Sequence, residues 1–250
     1  MERILHGVAD YHRRLVPAYL NALSQAAQSE HVPYAAMLTC TDTRLSPNVI
    51  TGTAPGELFI LRNVANIVPP LDTISGIYSD EAEAAAIEYA IGEKRIEHFI
   101  ICGHSDCGGM KALLENRFPA MAQHLAFWVR HGEPALTAMR AGEAPDKSLS
   151  PLNQLVQLNV LLQVRNLQTH PCVREQMAAG KFNIHAWYFD LNTATLQAWN
   201  ETNGKFEKMG TDAAATQPHA TSSDNTQQSA IPNAAARPIQ QYRTLPRKAR

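Results

Sequence analysis

A histidine and a cysteine lie three residues apart, directly after a short apolar run in the middle of the chain. The run is Phe99-Ile-Ile, and the stretch that follows it is Cys102-Gly-His-Ser-Asp-Cys-Gly-Gly109. Imidazole nitrogen and thiolate sulfur, here from His104 and Cys107, both suit Zn²⁺. Two ligands do not make a zinc site, so a third has to come from elsewhere in the chain.

The best third ligand lies upstream, at Cys40. The apolar residues 34–39 before it predict a buried strand, as do residues 98–102 before His104. Ligands gather at the carboxyl ends of parallel strands in open α/β sheets, so Cys40, His104 and Cys107 form a plausible Cys₂His set with one open position. Spacing alone leaves open that the cysteines are core filler and His104 a core histidine.

An aspartate and an arginine follow Cys40 at positions 42 and 44. Two residues apart on extended backbone, Asp42 and Arg44 point to the same side, where the guanidinium can grip the carboxylate through two hydrogen bonds. That grip would keep Asp42 charged and away from the metal, which leaves the fourth position for water. The alternative is an ordinary surface ion pair, which contributes under about 1 kcal/mol.

The elements around these residues predict an α/β fold. Residues 57–62 predict a second strand, and an alanine-rich helix capped by Ser79 is expected to run to about Lys94. Strands alternating with helices imply a mostly parallel central sheet flanked by helices. Further helices are expected over 118–143 and from Leu152 to about Gln168, and strands over 182–191 and 195–199.

The two ends of the chain differ from the centre. Apolar residues at three- and four-residue spacing predict a long N-terminal helix over about 2–28, which Pro17 can interrupt. This helix is expected to pack either on its own core or on a partner chain. After about Lys208 the chain is polar and low in large apolar residues, which predicts a disordered tail with a basic end. We therefore expect one domain over 1–207 and a tail over 208–250.

Composition excludes several classes of protein. The formal net charge of −1 gives no basic field for nucleic acid. No apolar run reaches the roughly 18 residues of a membrane span. Four cysteines without the layout of a secretory signal do not predict a disulfide framework, so the expected location is the cytoplasm.

At the level of motifs the chain resembles the β-class carbonic anhydrases. The resemblance runs over about residues 34–200 and is densest over 40–109. It rests on six stretches: Cys40-Thr-Asp-Thr-Arg44, Phe59-Ile-Leu-Arg-Asn-Val-Ala-Asn66, Ile87-Glu-Tyr-Ala90, Gly103-His-Ser-Asp-Cys-Gly-Gly109, Asn166-Leu-Gln-Thr-His-Pro171 and His185-Ala-Trp-Tyr-Phe-Asp190.

The resemblance implies zinc on Cys40, His104 and Cys107, with Asp42 and Arg44 as a catalytic pair beside it. It implies reversible hydration of CO₂ to bicarbonate and a proton, by a zinc-bound hydroxide that is available near neutral pH. It also implies a homodimer or a higher homo-oligomer. The apolar pocket for CO₂ is expected at four positions: Phe59, Val64, Tyr89 and Gly108.

Within that family the resemblance favours the plant-like branch. The branch that bicarbonate shuts down carries a tryptophan shortly before the first cysteine, and the corresponding stretch here is Met37-Leu-Thr39. We therefore expect an open site that holds water. Where the plant-like branch has a glutamine that reaches the substrate, this chain has His31, and that contact stays open.

Two other functions are compatible with the same residues. The site could act on a linear CO₂ analogue, carbon disulfide or carbonyl sulfide, since discrimination would lie in access routes that a sequence does not show. The chain could instead be a zinc-stabilised scaffold that docks to a partner through its tail. Asp42 and Arg44 speak against the scaffold, because a structural zinc site closes with a fourth protein ligand.

Overall fold

The computed structural model describes residues 1–14, 17–28, 32–71, 80–119 and 122–210. Within these residues one six-stranded sheet has the order β2-β1-β3-β4-β5-β6. The strands are β1 (Ala35–Cys40), β2 (Leu58–Asn63), β3 (His98–His104), β4 (Asn183–Asp190), β5 (Thr195–Asn200) and β6 (Lys205–Lys208). Neighbours among β2, β1, β3 and β4 are parallel, and β5 and β6 are antiparallel additions. The predicted mostly parallel sheet is confirmed.

Helices of different lengths flank this sheet. The α-helices are α1 (Glu2–Arg14), α2 (Pro17–Gln28), α3 (Pro47–Thr51), α4 (Glu81–Glu88), α5 (Gly108–Glu115), α6 (Gln123–Val129), α7 (Glu133–Arg140), α8 (Pro151–Leu167) and α9 (Pro171–Ala178). Short turns of 3₁₀ helix span Val64–Asn66 and Arg130–Gly132, and a π-helical turn over Tyr89–Glu93 continues α4. None of the described helices has the length and apolarity that crossing a membrane requires.

Helix α8 is the main support under the site end of the sheet. Ser150 caps it by accepting a hydrogen bond from the backbone N–H of Asn153, and Pro151 occupies its first turn. The helix packs on β3 and β4. It approaches β3 so closely that a Cβ on Gly103 would lie 2.5 Å from Val160, so only glycine fits at that position of the strand.

The core lies on both faces of the sheet and continues to the ends of its strands. One face packs residues such as Leu38, Phe99 and Ile101 against α4, α8 and α9. The opposite face holds a smaller group around Met37, Ile100 and Cys102. Cys102 is fully buried within this group.

Several sequence predictions need adjustment. Within the predicted N-terminal helix the structure describes two helices, α1 and α2, of which α2 begins at Pro17; residues 15 and 16 between them lie outside the described residues. Asp80, and not Ser79, caps α4: its carboxylate accepts from the N–H groups of Ala82 and Glu83. Strand β6 was not predicted. Ser79, His31 and the tail after residue 210 lie outside the described residues.

Candidate metal centre

Three buried side chains meet at the carboxyl ends of β1 and β3. The sulfur atoms of Cys40 and Cys107 and a ring nitrogen of His104 all lie within 4.8 Å of one another. Cys40 is the last residue of β1 and His104 the last residue of β3, the strand paired beside it. The parallel pairing therefore delivers two of the three side chains to one edge of the sheet.

The third side chain is delivered by a tight turn between β3 and α5. Ser105 anchors the turn on β4, since its N–H donates to the carbonyl of Phe189 and its hydroxyl accepts from the N–H of Leu191. Asp106 then adopts a left-handed conformation with φ 56°, and Cys107 precedes the first turn of α5. Two intervening residues are thus enough to turn the Cys107 thiol back toward His104.

The donor atoms fit zinc. The two sulfur atoms are 3.9 Å apart, close to the edge of about 3.8 Å expected for tetrahedral zinc with bonds of about 2.3 Å to sulfur. Nδ1 of His104 lies 2.9 Å from the Ser105 carbonyl oxygen, which can only accept, so Nδ1 carries the proton. Nε2, buried and without a hydrogen-bond partner among the described residues, keeps its lone pair for a metal.

The two thiols are electrostatically linked. The pKa of Cys40 is lowered, chiefly because the Cys107 thiol donates to its sulfur, and further by His104 and the backbone N–H of Ala65. The pKa of Cys107 is raised by the neighbouring Cys40 and by burial. The cluster thus already favours one thiolate, which is the form that binds a metal.

Asp42 lies beside the cluster and is gripped by Arg44. Its Oδ1 accepts from the backbone N–H and from Nε of Arg44, each at 2.9 Å, and its Oδ2 accepts from Nη2 at 2.7 Å. The Arg44 hydrogen bonds hold the pKa of Asp42 well below its usual range. Oδ2 lies 4.0 Å from Nε2 of His104. The carboxylate is therefore ionised, oriented and next to the place where the three donors converge.

Two further residues hold this pair in place. Nη1 and Nη2 of Arg44 contact the carboxylate (3.4 Å) and the backbone carbonyl (3.3 Å) of Asp106. The Asp106 side chain is itself 62% exposed, so its carboxylate meets Arg44 at the surface. Arg62 donates to the carbonyl of Cys40 through Nε and Nη2, at 3.1 and 2.9 Å, and to that of Asp42 at 2.7 Å.

Arg62 is a site residue that reasoning from the sequence missed. It lies inside one of the stretches that carry the family resemblance, directly before Asn63, but its targets are backbone carbonyls 20 and 22 residues away. Nothing in the local pattern indicates that contact. Its effect is to fix the backbone between Cys40 and Asp42, so that the thiol and the carboxylate keep their relative positions.

The four predicted pocket residues fall into two places. Val64 packs against the buried cluster that contains Cys40 and Cys107, and Gly108 follows Cys107 directly. Phe59 and Tyr89 have ring centroids 6.0 Å apart, but Phe59 pairs with Ala36 in β1, four residues before Cys40. At about 3.3 Å per residue, that puts Phe59 about 13 Å along the sheet from the cluster.

Gly109 has a clearer structural role than Gly108. A Cβ on Gly109 would lie 2.8 Å from Val64 and 3.0 Å from the Cβ of Ala65, whereas one on Gly108 would meet nothing within 4 Å. Glycine at position 109 is therefore needed for α5 to approach the turn after β2. Gly108 leaves open space beside Cys107.

Comparison with known proteins identifies the family. The carbonic anhydrase family model matches residues 35–196. A carbonic anhydrase of Synechococcus elongatus is 32% identical over 204 residues, which is 81% of this chain and 73% of that protein. The chain therefore belongs to the carbonic anhydrase family.

Solved structures identify the class within that family. The structure of the β-carbonic anhydrase CcaA matches with a TM-score of 0.74 at 28% identity, over 83% of this chain and 91% of that one. A structure from the report on two tetrameric β-carbonic anhydrases of Sordaria macrospora matches with a TM-score of 0.57 at 26% identity, over 81% of this chain and 98% of that one. The chain is a β-class carbonic anhydrase, a zinc enzyme that hydrates CO₂.

Proposed function

We propose that Cys40, His104 and Cys107 hold the catalytic zinc and that Asp42, held by Arg44, orients the reacting water. The observation that carries this proposal is the convergence of three buried donors within 4.8 Å. One of them is an imidazole nitrogen that has no hydrogen-bond partner in the described part of the chain. A zinc ion held by these three residues would acidify a water molecule, so that hydroxide would be available for attack on CO₂ near neutral pH. The product is bicarbonate, and a proton is released.

Asp42 acts as a fixed hydrogen-bond acceptor. Its depressed pKa keeps the carboxylate ionised throughout the neutral range, and an ionised carboxylate can only accept. A water held between Asp42 and the convergence point of the three donors would have its proton directed at the carboxylate and a lone pair free for CO₂. Because Arg44 binds both carboxylate oxygens, Asp42 is held back from taking the metal's open position.

Val64 and Gly108 form the part of the CO₂ pocket that one chain provides. An apolar side chain beside open space suits an uncharged, linear substrate, because no polar group has to lose its hydration when CO₂ enters. Phe59 and Tyr89 are proposed to complete the pocket from a second copy of the chain. This is supported by their distance from the cluster of the same chain and by the 47% exposure of Tyr89.

A homodimer or higher homo-oligomer is part of the proposal. Helix α1 carries four apolar residues that are about half exposed or more: Ile4, Leu5, Val8 and Tyr11. A helix with such a stripe gains stability by covering it, and a second chain of the same kind is the available partner. The tetrameric relatives of Sordaria macrospora are compatible with such an assembly.

We also propose an open site of the plant-like kind, in which the fourth metal position holds water. The support is the double grip of Arg44 on Asp42 and the presence of Met37, buried in the smaller core group, before the first cysteine. Initial rates of CO₂ hydration should then fall only gradually as bicarbonate is added. A steep, cooperative loss of rate with bicarbonate would contradict the open form.

A cytoplasmic location and a docking role for the tail are also proposed. A cytoplasmic location is supported by the four cysteines, all of which are free thiols; a fluorescent fusion found outside the cytoplasm would contradict it. The tail is proposed to dock the enzyme to a partner. Truncation after Met209 should leave the rate unchanged and alter localisation or co-sedimentation, and no change in either would make the tail a spacer.

The decisive experiment for the activity pairs metal analysis with stopped-flow CO₂ hydration on the purified protein. We expect about one zinc per chain and hydration well above the buffer rate. The same preparation is offered carbon disulfide and carbonyl sulfide, and sulfide release is measured. Release faster than CO₂ turnover would move the assignment to a CO₂ analogue, and a full zinc complement with no turnover of any of them would leave only a scaffold.

A further inference from the structure

A chain of hydrogen bonds connects helix α8 to the sulfur of Cys40. The backbone N–H of Ala65 donates to the Cys40 sulfur at 3.3 Å. The carbonyl of the same residue accepts from Nδ2 of Asn159 at 3.0 Å. Oδ1 of Asn159 in turn accepts from Nε2 of Gln163 at 2.8 Å. One residue of the turn after β2 is thus bonded to the sulfur on one side and to α8 on the other.

At its other end, this series of hydrogen bonds reaches the backbone of the same loop. Oε1 of Gln163 accepts from the N–H of Val68 at 2.9 Å and from Nδ2 of Asn166 at 2.9 Å. Nδ2 of Asn166 also donates to the Val68 carbonyl, at 2.9 Å. Asn159 and Gln163 are fully buried and Asn166 nearly so. Each amide therefore holds the next in a fixed orientation, as a buried polar network must if it is to be stable.

Ala65 needs such support because its backbone is in an unfavourable conformation. Its φ is 65° and its ψ 24°, the left-handed region that glycine adopts easily and alanine does not. A strained conformation of this kind persists only where the surroundings fix it. The surroundings here are Asn159 on the Ala65 carbonyl, Trp128, whose Nε1 donates to the Val64 carbonyl at 2.8 Å, and Gly109, which leaves room for the Ala65 methyl.

We propose that Asn159 is a positioning residue for the metal ligand Cys40. By fixing the Ala65 carbonyl it holds the left-handed conformation that aims the Ala65 N–H at the sulfur. A hydrogen bond to a thiolate stabilises the charge on sulfur and fixes the direction of its lone pairs, which keeps the ligand ready for the metal. This inference rests on the proposal that Cys40 binds zinc.

The test compares two leucine variants on the same face of α8. Asn159→Leu removes the donor to Ala65, and Asn166→Leu removes a buried amide of the same type that does not contact Ala65. Both should lower the melting temperature, because each leaves buried partners unsatisfied. Asn159→Leu alone should release zinc to a chelator faster, by roughly the 10-fold or more that the loss of an outer partner of a metal ligand produces.

A spectroscopic signal separates positioning from general loosening. With cobalt in place of zinc, the sulfur-to-cobalt charge-transfer band reports the energy of the sulfur lone pairs. Loss of the N–H bond to Cys40 should move this band to longer wavelength in Asn159→Leu and leave it unmoved in Asn166→Leu. If Asn159→Leu fails to fold, Asn159→Ser, which keeps a hydroxyl for Gln163 but is too short for Ala65, should move the band in the same direction.

The outcomes distinguish a failure of the proposed zinc site from a failure of the positioning role of Asn159. A wild-type protein that shows no sulfur-to-cobalt band contradicts Cys40 as a metal ligand, and with it the proposed site. A normal wild-type band that neither Asn159 variant moves, or that Asn166→Leu moves equally, overturns the positioning role alone. Faster zinc release in proportion to lost stability, with no movement of the band, has the same meaning.

Discussion

The metal cluster and helix α1 differ in how much of each is covered or bonded within one chain. At the cluster, Asp42 and Arg44 bind one another. Arg62 donates to the carbonyls of Cys40 and Asp42, and α8 fixes the backbone that faces Cys40. On α1, apolar side chains such as Ile4, at 65%, and Leu5, at 61%, are exposed. We therefore propose that the residues for the metal chemistry come from one chain, whereas α1 packs on a second chain.

The largest effect should come from removing a metal ligand. Cys40→Ser should lose zinc and bring CO₂ hydration down to the buffer rate, because a neutral hydroxyl cannot replace a thiolate on zinc. Metal analysis and stopped-flow hydration of the same sample measure this. The matched control is Cys102→Ser: Cys102 is equally buried but its pKa is raised to about 12 by burial, so it is an inert core thiol. A zinc-free Cys102→Ser protein, or a fully active Cys40→Ser protein, would reverse the assignment.

The next effect should come from releasing Asp42. Arg44→Gln should retain zinc but lower kcat/KM by about 10- to 100-fold, because the carboxylate loses the partner that orients it. The control is Arg130→Gln, which breaks a surface pair with Glu133 (3.2 Å) far along the chain and should leave the rate unchanged. Equal rates for Arg44→Gln and wild type, at full zinc content, would show that the pair is only structural.

A charge on the apolar face of α1 should separate the chains. Val8→Glu places a carboxylate in the exposed stripe, and light scattering should then show monomer at concentrations where the wild type is a dimer or larger. His6→Glu, on the opposite face of the same helix, should leave the assembly intact. Identical masses for the two variants would mean that the stripe is not an interface. If Phe59 and Tyr89 act from a second chain, the monomer should also lose hydration rate.

The smallest effect should come from His170, which lies between α8 and α9 and contacts the end of the loop that follows β2. Burial lowers the pKa of His170, whose Nε2 donates to the Pro69 carbonyl at 3.2 Å. Below a pH of about 6.5 the unfolded chain takes up a proton that the folded chain resists, so stability is full above this pH and falls below it. Replacing His170 by Gln should reduce the fall in Tm between pH 7.5 and 5.5 by a few degrees. A variant with an unchanged pH dependence would mean that other groups cause it.

Most helices and strands, and the convergence of the three donors, could be predicted from the sequence. Apolar runs bounded by turn residues predict β1, β2 and β3 to within one or two residues, and parallel strands necessarily bring their carboxyl ends to one edge. Strand β6 could not be predicted because Lys205-Phe-Glu-Lys208 has only one apolar residue and is ordered by pairing with β5. A local pattern does not contain that pairing.

The supporting contacts could not be predicted for a related reason. Arg62 and Asn159 act on backbone carbonyls, which carry no residue type for a motif to recognise. Asn159 and Ala65 are 94 residues apart, and only the packing of α8 under the sheet brings them together. The sequence thus predicts which side chains can do chemistry, and the fold determines which backbone groups hold them in position.

The measurement that tests the central claim most directly is zinc content and CO₂ hydration determined together on the full chain. We predict about one zinc per chain, lost in Cys40→Ser, and hydration far above the buffer rate that disappears with the metal. Hydration that persists after the metal is removed, or a zinc-loaded protein that does not hydrate CO₂, would contradict it.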